Sequence, residues 1–163
     1  MRSVLPFALA LALSASPAHA QVCNKTPPPF LPDILPESVQ GLPRMFSTAP
    51  GSGCMALYRP EDLAARETQP WASVSLEVEP SETLGEDADG VKGWLMGQTG
   101  YQIIMVNGWP VGFAQRSIGD ELITVRGTVR IKLSIKNGDH GDVSKALGIA
   151  FLENMLSKIP CGG

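Results

Sequence analysis

Between residues 71 and 79 apolar and polar positions alternate. Ala72, Val74, Leu76 and Val78 fall on one side, and Ser73, Ser75, Glu77 and Glu79 on the other. A period of two predicts a strand with one buried and one wet face. Upstream, residues 44–48 and 54–59 read as two short strands joined by the turn-rich run Ala49-Pro50-Gly51-Ser52-Gly53. The same period returns in residues 101–106, 111–116, 121–125 and 128–136. These runs are separated by Asn107-Gly108, Gly119-Asp120 and Arg126-Gly127, and Asn-Gly is a strong hairpin signal. In the last two runs Ile123, Val125, Val129, Ile131, Leu133 and Ile135 all carry odd numbers. Placing them on one face calls for Val125 opposite Val129 across a three-residue loop, Arg126-Gly127-Thr128, or for one strand bent at Gly127.

Two stretches change the period. Leu84, Ala88, Val91 and Leu95 recur at helical spacing. Ser81 is the expected N-cap, with Glu82 and Glu86 near the positive end of the helix dipole. Gly85, Gly90 and Gly93 weaken this helix by roughly 1 kcal/mol each relative to alanine. A second helix is expected from Asp142 to about Ile159. Val143, Ala146, Leu147, Ala150, Phe151 and Ile159 form its apolar face, and Pro160 and Gly162 stop it. Residues 35–40 suit a single helical turn. The pattern predicts an α+β fold: a largely antiparallel sheet of about six or seven strands with two helices packed on one face.

The N-terminal pattern is of another kind. Arg2, the apolar run of residues 4–13 and Ala18-His19-Ala20 have the layout of a cleavable secretory signal over residues 1–20. The run is shorter than the roughly 20 residues that span a bilayer, and Gln21 and Val22 before Cys23 make a poor lipoprotein signal. Residues 21–43 then form a Pro-rich leader containing Pro27-Pro28-Pro29, which favours extended polyproline II. Residues 44–163 are expected to be one domain.

Composition narrows the partners. The 163-residue chain carries a net charge of −3. Loss of Arg2 with the signal brings it to about −4, against the basic face that nucleic acid needs. No later stretch has the length of a transmembrane helix. In an oxidising compartment two of Cys23, Cys54 and Cys161 are expected to pair, with no rule in the spacing to choose which two. The odd thiol is either buried and inert or a link between two chains.

Candidate chemistry is sparse. Once His19 leaves with the signal, His140 is the only histidine. It sits in the polar run Asn137-Gly138-Asp139-His140-Gly141, which suits a solvated turn, ligand contact or pH sensing better than activation of a nucleophile. Glu86-Asp87-Ala88-Asp89-Gly90 resembles part of a calcium loop but lacks its distant glutamate, and the acids fit the wet face of a helix. The glycines lack the strand-then-helix context of a dinucleotide fingerprint. No catalytic residue, metal site or cofactor is assigned. Trp71, Trp94, Trp109, Tyr58, Tyr101 and Phe113 are the remaining candidates, for a core or for a groove between sheet and helix. Trp109, in the hairpin tip Asn107-Gly108-Trp109-Pro110, is the first choice for an interaction residue, with His140 second.

Leu35-Pro36, Gly41-Leu42-Pro43-Arg44, the alternating run of residues 73–78, Gly100-Tyr101, Asn107-Gly108-Trp109-Pro110-Val111 and the closing strand, polar turn and helix come in an order that resembles a group of small exported bacterial proteins. These in turn are similar to the PsbP-like α+β fold. The resemblance implies an accessory or binding protein rather than an enzyme, and assigns no functional residue. The reading that follows is an exported, non-enzymatic accessory or binding domain of the bacterial envelope, periplasmic or secreted, with a protein partner or small ligand. Its alternatives are a small periplasmic enzyme using carboxylates or His140, and a structural dimer linked through the odd cysteine.

Overall fold

The computed structural model of the protein describes Cys23, residues 30–136 and residues 141–161. The expected signal and His140 therefore lie outside the described residues. In chain order the elements are α1 (Leu31–Ile34), β1 (Ser38–Val39), β2 (Leu42–Thr48), β3 (Gly53–Tyr58), α2 (Ala65–Thr68), β4 (Trp71–Val78), α3 (Ala88–Met96), β5 (Gln102–Val106), β6 (Trp109–Arg116), β7 (Gly119–Arg126), β8 (Val129–Lys136) and α4 (Gly141–Ser157). The strands form one open antiparallel sheet in the order β1-β2-β3-β4-β8-β7-β6-β5. The mixed α+β class is as expected. Among the described residues, however, the sheet has eight strands rather than six or seven, and there are four helices rather than two. The additions are short: β1 is two residues, and α1 and α2 are single turns. The turn expected in residues 35–40 falls earlier, in α1, and Ser38 and Val39 pair with Pro43 and Leu42 instead.

The two main helices lie on opposite faces of the sheet, not on one. Tyr58, Leu122 and Ile135 point to the α4 side. Tyr58 stacks edge-on against Phe151 at 4.7 Å, and a Cβ on Gly148 would meet Leu122 and Ile135. On the other side, a Cβ on Gly112 would stand 2.8 Å from Leu95 of α3, so the missing side chain lets that helix press on β6. Helix α3 covers β5, β6 and β7. Much of β6 and β7 is consequently buried on both faces, and residues 109–114 are buried without interruption.

This two-sided cover overturns the expected register of β7 and β8. Arg126 pairs with Val129, Thr124 with Ile131 and Leu122 with Leu133, leaving a two-residue turn, Gly127-Thr128. Ile123 and Val125 therefore face α3, opposite to Ile131 and Leu133. This register sets Arg130 opposite Val125 on the α3 side. Arg130 avoids burial of its charge by laying its guanidinium over the Trp94 ring at 5.8 Å and pairing with Glu79 at 2.7 Å.

Other local expectations shift for identifiable reasons. Asn107 and Gly108, at φ of 48° and 76°, make the expected β5–β6 hairpin. The next turn is Ser117-Ile118, because Gly119 already pairs with Arg116. Ser81 does not cap α3: its hydroxyl accepts from the Leu84 N–H at 3.2 Å in a separate turn. The cap is Asp87, whose carboxylate accepts from the Gly90 N–H at 2.7 Å. Leu31, Ile34, Leu35, Val39 and Leu42 are buried in the same core as the strands, so the described part of the leader packs into the domain. Cys23 and Cys161 form a disulfide that ties the leader to the C-terminal segment.

Candidate functional site

Helix α3 covers only half of its face of the sheet. The other half, over β2, β3, β4 and β8, carries no helix. Cross-strand registers set its surface in rows. One row runs Phe46–Leu57–Ser73–Ser134–Glu121, and a second runs Thr48–Met55–Ser75–Lys132. Along the end of the sheet Trp71 stands directly opposite Lys136. Phe46 is 54% and Met55 48% exposed, which is unusual for two large apolar side chains side by side on a strand pair. Leu57 and Trp71 are half-buried beside them.

The local sequence explains the shape. Large apolar side chains occupy the β2–β3 end, and Ser73, Ser75 and Ser134 form a floor of small side chains. The result is a depression of about 330 Å³ lined by Phe46, Met55, Leu57, Trp71, Ser134 and Lys136 among others. This is at the lower limit of ligand-pocket sizes. Two neighbouring depressions continue it. One, of about 330 Å³, shares Ser134 and Lys136 and reaches Arg116 and Asp120; the other, of about 410 Å³, shares Met55 and reaches Glu77.

Charge is distributed unevenly along this surface. Glu121 accepts from the Tyr101 hydroxyl and from Lys132 at 3.0 Å, and lies 3.6 Å from Arg116. The Arg116 guanidinium sits over the Tyr101 ring at 5.0 Å. Burial pushes the Glu121 carboxyl up, but hydrogen bonds from Tyr101 and Lys132 outweigh it and hold the group below its ordinary value. One carboxylate thus serves two cations, and Lys136 has no ion-pair partner among the described residues. At the same end the Nε of Arg59 is buried without a hydrogen-bond partner, next to Leu57 and Trp71.

Neighbouring Asp120 behaves oppositely. Its side chain points to the α4 side, one carboxylate oxygen has no partner, and burial raises its pKa. Among the described residues no three histidine, cysteine or acidic side chains gather to hold a metal ion.

The residues singled out from sequence are dispersed. Trp109 is fully buried, its indole N–H donating to the Val125 carbonyl at 2.9 Å, with Arg126 over its ring at 5.1 Å. It is a core residue rather than an exposed tip, because the tight Asn107-Gly108 turn places it one residue into β6 on the α4 side. Tyr58 and Phe113 also face α4, whereas Trp71, Trp94 and Tyr101 belong to the α3 side, so the six aromatics line no common groove. Glu79 is 6% exposed and paired with Arg130, not a solvent-side strand residue. Cys54, the odd cysteine, is buried; desolvation pushes its thiol up against the opposing charge of Arg44, which makes it a poor nucleophile. Phe46, Met55 and Lys136 carry no motif in the sequence. Their signal is the polar alternation Lys132, Ser134, Lys136 in β8 beside residues 122–125 in β7, apolar but for Thr124, which marks where the cover of α3 ends.

The chain matches no model of a protein family, no curated protein and no solved structure.

Proposed function

We propose that the protein is an exported accessory or binding domain without catalytic activity of its own, and that it works through the uncovered half of the α3 face. The observation that carries this reading is the pairing of exposed Phe46 and Met55 with a serine floor and a basic margin on a sheet face that is otherwise helix-covered. A bare apolar half-face costs solubility unless something occupies it. The Cys23–Cys161 disulfide supports an oxidising compartment, as does the signal pattern of residues 1–20, and the periplasm is the favoured location. The likeness to PsbP-like accessory proteins agrees with a binding role. A covalent dimer would need the odd thiol at the surface, whereas Cys54 is 1% exposed.

The test is a photo-crosslinking amino acid placed at Ser75, on the floor, or at Glu153, exposed on α4, in protein exported by its own host. Specific adducts from position 75 and none from position 153 are expected. Equal labelling at both positions would remove the uncovered face from the account.

A further inference from the structure

The identity of the occupant can be taken further, resting on the reading of this half-face as a binding surface. We propose that it takes a monomeric, single-chain amphiphile with an anionic head, of which a long-chain carboxylate is the simplest form. Two features select that class. The first is the apolar shelf of Phe46, Met55, Leu57 and Trp71, open to solvent over β2–β4. The second is the cation cluster at its margin. Directly opposed residues on neighbouring antiparallel strands have Cβ atoms about 5 Å apart, so the Lys136 stem starts beside the Trp71 indole. Arg116 and Lys132 share the single carboxylate of Glu121 and Lys136 holds no ion pair among the described residues, so this margin is locally basic in a chain whose net charge is −3, with Glu77 farther off opposite Arg130.

A head with one or two negative oxygens completes this arrangement. It can reach the free Lys136 ammonium and the serine hydroxyls of the floor while its chain lies on the shelf. A cationic head would meet Lys136 and Lys132 with like charge. A bilayer is disfavoured because the floor is recessed, with α3 standing along one side of it and the Phe46 side chain on the other. A second copy of the chain would set the same basic margin on both partners, and any match would depend on the more distant Glu77.

The experiment is titration calorimetry on the exported, disulfide-bonded protein with octanoate, decanoate and dodecanoate below their micelle concentrations. Dodecyltrimethylammonium, acetate and anionic phospholipid vesicles serve as comparison probes. Each methylene laid on the shelf should tighten binding by up to about fourfold. We expect one dodecanoate per chain, at least tenfold weaker binding of the cationic amphiphile, and no binding of acetate. Lys136→Glu and Trp71→Ser should each weaken dodecanoate at least tenfold, whereas Lys145→Glu, on the α4 side, should not. Thermal unfolding of Lys136→Glu should match the parent, since Lys136 holds no ion pair among the described residues. The proposal is overturned by absence of dodecanoate binding, by equal affinity for both head charges, or by binding to vesicles alone. A dimer that forms through this face and excludes dodecanoate would overturn it too. If dodecanoate fails while Ser75 still crosslinks specifically, the ligand class falls and the binding face stands; if both fail, the proposed function falls with it.

Discussion

The disulfide offers the best-defined energetic test. Cys23 and Cys161 are separated by 138 residues, so their bond closes nearly all of the described chain into one loop. The chain-entropy relation gives about 5 kcal/mol at 25 °C for a loop of that length, the top of the usual 2–5 kcal/mol range for loss of a native bond. Total domain stabilities are about 5–15 kcal/mol, so loss of the bond should leave a marginal fold. The native state would also loosen where the bond is seated: the Cys23 N–H donates to the Glu86 carbonyl, and Arg126 Nε donates to Cys161 Sγ at 2.8 Å. The perturbation is Cys23→Ala with Cys161→Ala, followed by urea unfolding at 25 °C. Extrapolated stability should fall by about 3–5 kcal/mol, and the dependence on urea should steepen because the open unfolded chain exposes more surface. Cys54→Ala should keep the bond and lose about 1 kcal/mol or less, as a small change in packing. A double variant within about 1 kcal/mol of the parent would refute the reasoning, since an unpaired Cys23 would gain nothing from loop closure. A Cys54→Ala variant that lost the bond would refute it equally.

Four further outcomes follow from packing and burial. Gly119→Ala should destabilise by about 3 kcal/mol or more, because the residue holds φ of +143° and its new Cβ would stand 1.9 Å from the Ile135 carbonyl oxygen. Gly93→Ala, helical with nothing near its Cβ, should instead stabilise by about 0.5–1 kcal/mol in the same denaturation assay. Arg130→Met should cost about 2–3 kcal/mol by leaving Glu79 buried without its partner. This is below the value for fully buried pairs because the Arg130 side chain is 38% exposed, and adding Glu79→Gln should recover part of the loss. Asp120, whose carboxyl is raised by burial above its ordinary 3.8, binds more protons folded than unfolded. Its contribution is therefore favourable at low pH and lost as pH rises through the raised value. Asp120→Asn should flatten that loss in melting temperatures taken from pH 3 to 7 (about the range in which carboxyl groups titrate), and an unchanged slope would contradict the assignment.

Much of the sheet is legible in the chain, because a half-buried strand writes its two faces as alternating residue types. Residues 71–78 and 129–136 read directly, as does the Asn107-Gly108 turn, whose chemistry is local. The side of the sheet on which each helix lies is not local. The run Leu122-Ile123-Thr124-Val125, apolar but for Thr124, is compatible either with a strand buried on both faces or with a bent one, and the odd-number parity of the following residues favours the wrong choice until α3 is in place. Ser81 and Asp87 are both competent caps, and packing of Val91 and Leu95 decides between them. Trp109 looks exposed because turns lie outside, yet a two-residue turn returns the chain to the sheet at once. The candidate face is half legible: Ser73 and Ser75 read as the outward side of a strand, but only the limited reach of α3 leaves that side bare.

The most direct test of the uncovered face is oxidative footprinting of methionines in the intact envelope and in purified protein. Met55 is 48% exposed on the face, while Met96 and Met105, at 73% and 58%, lie away from it. If the face is occupied where the protein works, Met55 will be protected in the envelope relative to the purified chain, and Met96 and Met105 will oxidise equally in both. Equal oxidation of Met55 in the two settings would contradict the account.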